Sequence, residues 1–251
     1  MPKTVIITGS GSGIGAATAR RFSKDGWNVT LNGRTVSKLE EVADDLDPSR
    51  TLIIKGDISN ANDVHSLITG TVEKFGGLDT LVNNAGVGKM GKIDKLSRED
   101  WNAVMDINVT GLYNTCTEAL DHLRKSKGSI INVSSVSGLG GDWGMVGYNA
   151  SKGAVSNFTR ALALDLGREG IRVNAVAPTF TLTEMSEGIR ENEALLENFK
   201  TRIPMGRPAN PEEIASAIAF LAGPDAGFVN GIVMPVDGGL SAANGQPDLS
   251  G

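Results

Sequence analysis

Seven short runs of β-branched and aliphatic residues punctuate this chain, at 3–8, 28–32, 51–55, 80–83, 128–133, 171–177 and 232–234. Between them lie longer stretches whose apolar residues recur at helical spacing. A strand followed by a helix cannot pair with the next strand through a tight turn. It crosses over instead, and crossovers give parallel pairing. The runs are apolar with little alternation, as strands are when both faces of a sheet are covered. These features predict an α/β fold: a doubly wound sheet of about seven parallel strands with helices on both faces. No repeat, linker or composition break divides the chain, so residues 1–251 are expected to form one domain.

The first run, Thr4-Val5-Ile6-Ile7-Thr8, leads into Gly9-Ser10-Gly11-Ser12-Gly13-Ile14-Gly15 and then into a helical stretch that Gly26 closes. A glycine loop between strand and helix lets backbone N–H groups approach a pyrophosphate, and the helix N-terminus adds partial positive charge. The spacing Gly9-x-x-x-Gly13-x-Gly15 departs from the G-x-G-x-x-G fingerprint, so its context carries the reading of a Rossmann-like dinucleotide site. At the end of the second strand, where an acid would hold a ribose 2′-hydroxyl, stand Gly33 and Arg34. An arginine there suits a 2′-phosphate; a solvated surface arginine is the plainer alternative. Ser37-x-x-Glu40 reads as a capping box for a helix to about Leu46. Asp57, followed by Ile58, is placed to accept from an adenine amine or to help cap the helix near 61–75. The fourth strand runs into Asn84-Ala85-Gly86, small residues at a carboxyl end that leave room for a ligand.

The chemistry is expected between Ser134 and Lys152. Ser134 and Ser135 follow the fifth strand, a glycine-rich loop follows them, and Tyr148-x-x-x-Lys152 opens a helix to about Gly167. Residues i and i+4 share a helix face. A tyrosine with a pKa of about 10 is a poor acid/base at neutral pH, and lowering it by three units takes about 4 kcal/mol. A neighbouring ammonium favours the phenolate, and an oxidised nicotinamide ring would add to it. Upstream, Ser97 caps a long helical region through Lys125 that Asn108 and Gly111 interrupt; a bend there would aim Asn108 inward. Residues 179–203 are polar and lack core periodicity until about Ala194, the profile of a lid.

Composition narrows the partners. A net charge of −5 argues against nucleic acid or an acidic membrane surface. The single cysteine, Cys116, excludes an internal disulfide and reads as a small buried hydrophobe. His65 and His122 have no metal-ligand spacing and read as helix-surface residues, so no metal is expected. No apolar run approaches a membrane span and no secretory h-region precedes the first strand, which predicts a cytoplasmic protein. The tail from Ser241 is small and polar, and is expected to be poorly ordered unless docked on another subunit.

Taken in order, Thr8-Gly9-x-x-x-Gly13-Ile14-Gly15, Asn83-Asn84-Ala85-Gly86, Asn108-Val-x-Gly111, Ser135, Tyr148-x-x-x-Lys152 and Pro178 resemble the short-chain dehydrogenase/reductase family. Ser135 precedes Tyr148 by 13 residues (148 − 135), the family's usual separation. The resemblance spans essentially Thr4 to Gly239. It implies an NAD(P)-dependent carbonyl reductase or alcohol dehydrogenase acting on a small molecule, with a 3-oxoacyl thioester among the candidate substrates. Tyr148 would be the general acid/base, and Ser135 would polarise the carbonyl. Lys152 would lower the tyrosine pKa and hold the nicotinamide ribose, while Asn108 supports a water relay. The implied cofactor contacts are Gly9, Ser12, Gly13, Ile14, Gly15, Arg34, Asp57, Ile58, Asn84, Ala85, Gly86, Tyr148, Lys152, Pro178, Thr181 and Thr183. Thr179 and Thr181 depart from the family's usual glycine and aliphatic residue, and Ser12 lacks the basic residue of many NADP-using members. Arg34 favours NADP(H), with NAD(H) still usable. A lyase or epimerase on the same scaffold and a nucleotide sensor without turnover are the alternatives; the intact Asn-Ser-Tyr-Lys set favours neither. Met90, Leu139, Trp143, Met145, Phe180 and Met185 are candidate pocket residues. Small residues on the helices around 100–123 and 153–166, among them Ala150, Ala154, Ala161 and Ala163, point with the resemblance to a homotetramer.

Overall fold

A computed structural model of the chain describes residues 2–246. Its strands are β1 (Thr4–Thr8), β2 (Asn28–Gly33), β3 (Thr51–Lys55), β4 (Thr80–Asn83), β5 (Ser129–Val133), β6 (Arg172–Pro178) and β7 (Val233–Val236). They form one parallel sheet in the order β3-β2-β1-β4-β5-β6-β7. Every strand lies within two residues of its expected span. The helices are α1 (Gly13–Lys24), α2 (Val36–Ala43), α3 (Ala61–Phe75), α4 (Arg98–Met105), α5 (Gly111–Ser126), α6 (Val146–Leu166), α7 (Glu187–Arg190), α8 (Glu193–Arg202) and α9 (Pro211–Ala222).

Strand residues alternate between two cores, as a period of two demands. Val5, Ile7, Val29, Leu31 and Ile131 pack with Phe22 of α1, Leu39 of α2 and Ile214, Ile218 and Leu221 of α9. Ile6, Leu81, Ile130 and Val173 face the other way, onto Leu67 and Ile68 of α3, Leu112 and Leu123 of α5, and Val155 and Leu166 of α6. Each such side chain, fully buried, contributes roughly 1.5–3 kcal/mol, so the two apolar faces hold the layers together.

The second core also contains a polar ladder. Thr115 Oγ1 donates to Asn83 Oδ1 at 2.7 Å, Asn83 Nδ2 to Asn132 Oδ1 at 3.0 Å, and Asn132 Nδ2 to Thr159 Oγ1 at 2.9 Å. It runs from α5 across β4 and β5 to α6, fully buried.

Local signals place most helix ends. Ser97 caps α4 through Asp100 N, Asn60 caps α3, and Gly26 and Gly76 close α1 and α3 with φ of 85° and 83°. The Ser37 capping box does not form. Thr35, in extended backbone, is the N-cap, so Ser37 already lies in the first turn, and α2 ends at Ala43. The interruption at Asn108 is a π-turn over Asp106–Thr110 that joins α4 to α5 without a break. The segment 179–203 is largely helical: a 3-10 turn at Glu184–Ser186 precedes α7 and α8. The core periodicity read from about Ala194 does not mark a buried face, since α8 buries none of its residues. The expectation for the tail falls partly on 247–251, outside the described residues. Among the described residues no helix is long and apolar enough to cross a membrane, and no cluster of three His, Cys, Asp or Glu could hold a metal.

Candidate active site

The sheet order places β1 beside β4, so the chain turns in opposite directions above these two strands, the point where open α/β sheets bind ligands. The loops above them are laced together. Asn84 Nδ2 donates to the carbonyls of Thr8 and Gly9, both at 3.0 Å, and Thr8 Oγ1 accepts from Asn84 N and Ala85 N, both at 3.1 Å. A Cβ at Gly9, whose φ is 64°, would meet Ala85 Cα at 2.8 Å; one at Gly15 would meet Gly9 O at 2.3 Å. The smallness of Ala85 therefore serves loop packing as well as ligand room. The glycine loop delivers the free N-terminus of α1, with no acid in its first turn, to the cleft. Ser12 is the α1 N-cap and leaves its side chain uncommitted. Thr183 stands against Gly13, where an added Cβ would lie 2.9 Å from its methyl group. Such a loop, with bare backbone at a helix start, fits a pyrophosphate.

At the adenosine end, Arg34 Nη1 lies 3.8 Å from Asp57 Oδ2. Asp57 also accepts from Ser59 N and Oγ at 3.0 and 2.7 Å. Burial works against its charge, but these hydrogen bonds and Arg34 hold its pKa below the usual value. Asp57 does not cap α3; Asn60 does. Ile58 is buried against Gly111.

The catalytic candidates converge above β5. Lys152 is buried, and its Nζ donates to Val133 O at 2.7 Å and lies 5.7 Å from the Tyr148 ring centroid. Burial lowers its pKa to about 8. Gly86 backs onto it: a Cβ there would stand 3.4 Å from Lys152 Nζ and 3.2 Å from Asn108 Oδ1. Gly88 backs onto the Tyr148 ring. Tyr148 has a pKa above the ordinary tyrosine value because burial outweighs the helpful Ser135 hydroxyl, and the Asp142 carboxylate adds to the rise. Lys152 was expected to lower it. Here the ammonium is turned to Val133 O, and desolvation wins.

Asn108 is buried by the π-turn, not exposed. Its Oδ1 accepts from Val87 N at 2.8 Å, and its Nδ2 donates to Val87 O at 2.9 Å and Ser151 Oγ at 3.0 Å. Both amide protons are used, so any part in a water chain falls to its main-chain carbonyl. Pro178 ends β6 with its carbonyl 3.5 Å from Ser135 Oγ. Thr181 is buried and Thr183 pairs with Ser186 at the start of the 3-10 turn before α7. Of the pocket candidates, Met90, Leu139, Trp143 and Met185 are exposed, and Met145 lies near Gly88. Phe180 instead packs on Phe199 of α8, ring centroids 4.9 Å apart. Ala163 is a core residue, so it lies off any outward helix face.

Three residues escaped the sequence argument. Ser137 and Asp142 extend the site: Ser135 Oγ donates to Ser137 Oγ at 3.1 Å, and Ser137 Oγ donates to the Asp142 carboxylate. The only signal was a lone acid in an otherwise uncharged glycine loop. Lys38 of α2 lies against Gly11, and its ammonium pairs with Glu184 beside Thr183. Its distance in sequence from Ser12 hid the neighbourhood.

Known proteins resemble the chain over nearly its whole length. Residues 9–241 match a family model described as enoyl-(acyl carrier protein) reductase. The chain is 44% identical over 247 residues to meso-2,3-butanediol dehydrogenase of Serratia marcescens, covering 98% of each. It superposes with a TM-score of 0.90 and 34% identity on 3-ketoacyl-(acyl-carrier-protein) reductase of Brucella melitensis complexed with NADH, covering 95% of this chain and 98% of that one. With the same TM-score of 0.90, and 32% identity over 96% and 98% of the chains, it superposes on a variant of actinorhodin polyketide ketoreductase with NADPH.

Proposed function

The chain belongs to the short-chain dehydrogenase/reductase family, and on that footing we propose that Tyr148 is its general acid/base in exchanging a secondary alcohol for a ketone. It is an oxidoreductase. The observation that carries the residue assignment is the meeting of Ser135, Tyr148 and buried Lys152 above β5. As a ketone is reduced, its oxygen gains a proton. Tyr148 gives that proton, a step of general acid catalysis. Ser135 donates a hydrogen bond to the same oxygen, most strongly as negative charge gathers there. Lys152, with a pKa of about 8, is mostly cationic at neutral pH. Swung from Val133 O toward Tyr148, it would favour the phenolate that alcohol oxidation requires. A bound nicotinamide nucleotide supplies the hydride and, when oxidised, a positive ring charge.

The glycine loop, Asn84 to Gly86 and Thr183 would hold that nucleotide. NADP(H) is the favoured form. The Arg34–Asp57 contact is long and its guanidinium exposed, so a 2′-phosphate competes for the guanidinium with little to displace. Lys38 lies on the loop that Ser12 leaves uncharged, and its ammonium, paired with Glu184, would have to leave that pair to serve as a second cation. NAD(H) remains usable, because the preference rests on the single Arg34 guanidinium. The substrate proposed is a small secondary alcohol or hydroxy-ketone, entering between Met90, Trp143 and Met185 beneath a lid at 179–203. We propose a cytoplasmic homotetramer. Two outward apolar faces support it: Tyr113 with Leu164 on α5 and α6, and Phe220, Phe228 and Ile232 beside β7.

The test is Tyr148→Phe, which keeps the ring and removes the proton. Turnover of butane-2,3-diol or 3-hydroxybutan-2-one should fall by about 10²–10⁴, with cofactor binding within a few-fold of wild type. Near-normal turnover would remove Tyr148 from the role. Arg34→Ala should weaken NADP binding roughly 10–150-fold, one charge-assisted partner's worth, and hardly change NAD; equal loss for both would make Arg34 an adenine-stacking or surface residue. A monomeric mass by light scattering would refute the tetramer.

A further inference from the structure

The hydroxyls of the site form a directed chain that ends on Asp142. An ionised carboxylate only accepts hydrogen bonds. Ser137 Oγ therefore gives its single proton to Asp142 and can only accept from Ser135 Oγ, 3.1 Å away. Ser135 in turn spends its proton on Ser137, or on Pro178 O at 3.5 Å, and takes the Ser137 N–H at 3.1 Å. With its proton turned to Ser137, Ser135 offers Tyr148 a lone pair in place of the hydrogen bond that would otherwise favour the phenolate. A phenol can donate to that lone pair, whereas a phenolate would be repelled by it. Asp142 is itself held in place, since its N–H donates to Asn149 Oδ1 at 2.9 Å and Asn149 Nδ2 donates to Met145 O at 2.8 Å.

We propose that Asp142 is a positioning residue: acting through Ser137, it fixes the direction of the hydroxyl chain and keeps the proton on Tyr148. The proposal rests on Tyr148 being the acid/base group, but it concerns a property of the resting protein that can be read without turnover. The charged groups facing Tyr148 are Asp142 from the loop before α6 and Lys152 from α6 itself. The loop after β4 presents Gly88 and the end of β6 presents the Pro178 carbonyl. Lys89, next to Gly88, is drawn off to Asp100 at 3.2 Å. In Asp142→Asn the side-chain amide can donate to Ser137, the chain reverses, and Ser135 gains a proton to offer the phenolate.

The chain contains two tyrosines, and Tyr113 is exposed. Tyrosinate absorbance in a Tyr113→Phe background therefore reports Tyr148 alone, with Tyr148→Phe as the blank. Asp142→Asn should lower the Tyr148 midpoint by about one unit, a tenfold rise in phenolate at a given pH. Ser137→Ala should lower it as well, and adding Asp142→Asn to Ser137→Ala should shift it little further. If alkaline unfolding masks the absorbance limb, the pH dependence of butane-2,3-diol oxidation gives the midpoint. An unmoved midpoint in Asp142→Asn overturns the proposal. So does an equal shift with and without Ser137, which would make Asp142 a bare through-space charge.

Discussion

Asn108→Ala tests what the π-turn is for. The substitution removes three hydrogen bonds of 2.8, 2.9 and 3.0 Å and leaves both backbone groups of Val87 without a partner. Ser151 Oγ keeps its bond to Tyr148 O at 2.8 Å, so the loss concentrates on Val87. A donor or acceptor left unsatisfied costs about 1–3 kcal/mol, toward the low end where water can enter, and Val87 is half-buried. Two such groups and a small void give roughly 2–4 kcal/mol. For a domain this size that is a fall in Tm of about 5–15 °C. The loop that loosens carries Gly86 and Gly88, which back Lys152 and Tyr148, so KM for substrate should rise with the loss of stability. The control is Asn102→Ala on the exposed face of α4, which should leave Tm within about 2 °C. Thermal unfolding by circular dichroism decides the matter. Activity lost in Asn108→Ala at an unchanged Tm would refute the clamp and return Asn108 to a purely chemical role.

Two further outcomes follow from titration. Lys152 has a folded pKa of about 8 against an ordinary 10.5, so the folded state binds fewer protons than the unfolded one between those values, and burying the lysine costs stability at neutral pH. Lys152→Met should abolish turnover yet raise Tm at pH 7, the gap closing as pH climbs from about 8 to 10.5; a lower Tm at pH 7 would contradict this. Glu213 accepts two bonds of 2.7 Å from Arg207 and one of 2.8 Å from Asn210 N, and is depressed to about 2. Its stabilisation is present above pH 4.5 and lost as pH falls toward 2, so Glu213→Gln should flatten the acid limb of a stability–pH curve over that window. An unchanged limb would show that solvent screens the pair completely.

The strands were legible because a buried parallel strand announces itself by a short apolar β-branched run, and glycine loops at their ends gave the nucleotide cleft. Tyr148, Lys152 and Ser135 could be placed because chain order and helix spacing bring them together. The π-turn was not legible in kind: Asn108 and Gly111 showed that the helix was disturbed, but not that the extra residue would be absorbed as a π-turn between two helices that stay joined. Ser37 misled because a capping box depends on where the helix starts, which Thr35 set by staying extended. Ser137, Asp142 and Lys38 were invisible for a different reason. Their partners come from other turns of the chain, and no local spacing encodes a hydroxyl relay or a lysine lying on a distant glycine loop.

The polar ladder Thr115–Asn83–Asn132–Thr159 bears on how the sheet finds its alignment. Strands that are greasy on both faces have no wrong side, so sliding β4 along β5 by one place would still bury hydrocarbon against hydrocarbon. It would also strand two carboxamides in a dry interior, while the two threonine hydroxyls kept only their bonds to carbonyls of their own helices. The ladder thus works as a key cut into an otherwise smooth surface: it adds little to how tightly the layers adhere and a great deal to which of several adherent arrangements survives. Asn132→Leu with Asn83→Leu should then give a protein that still collapses and still melts late, but whose strands have lost their reason to stop where the catalytic loops meet.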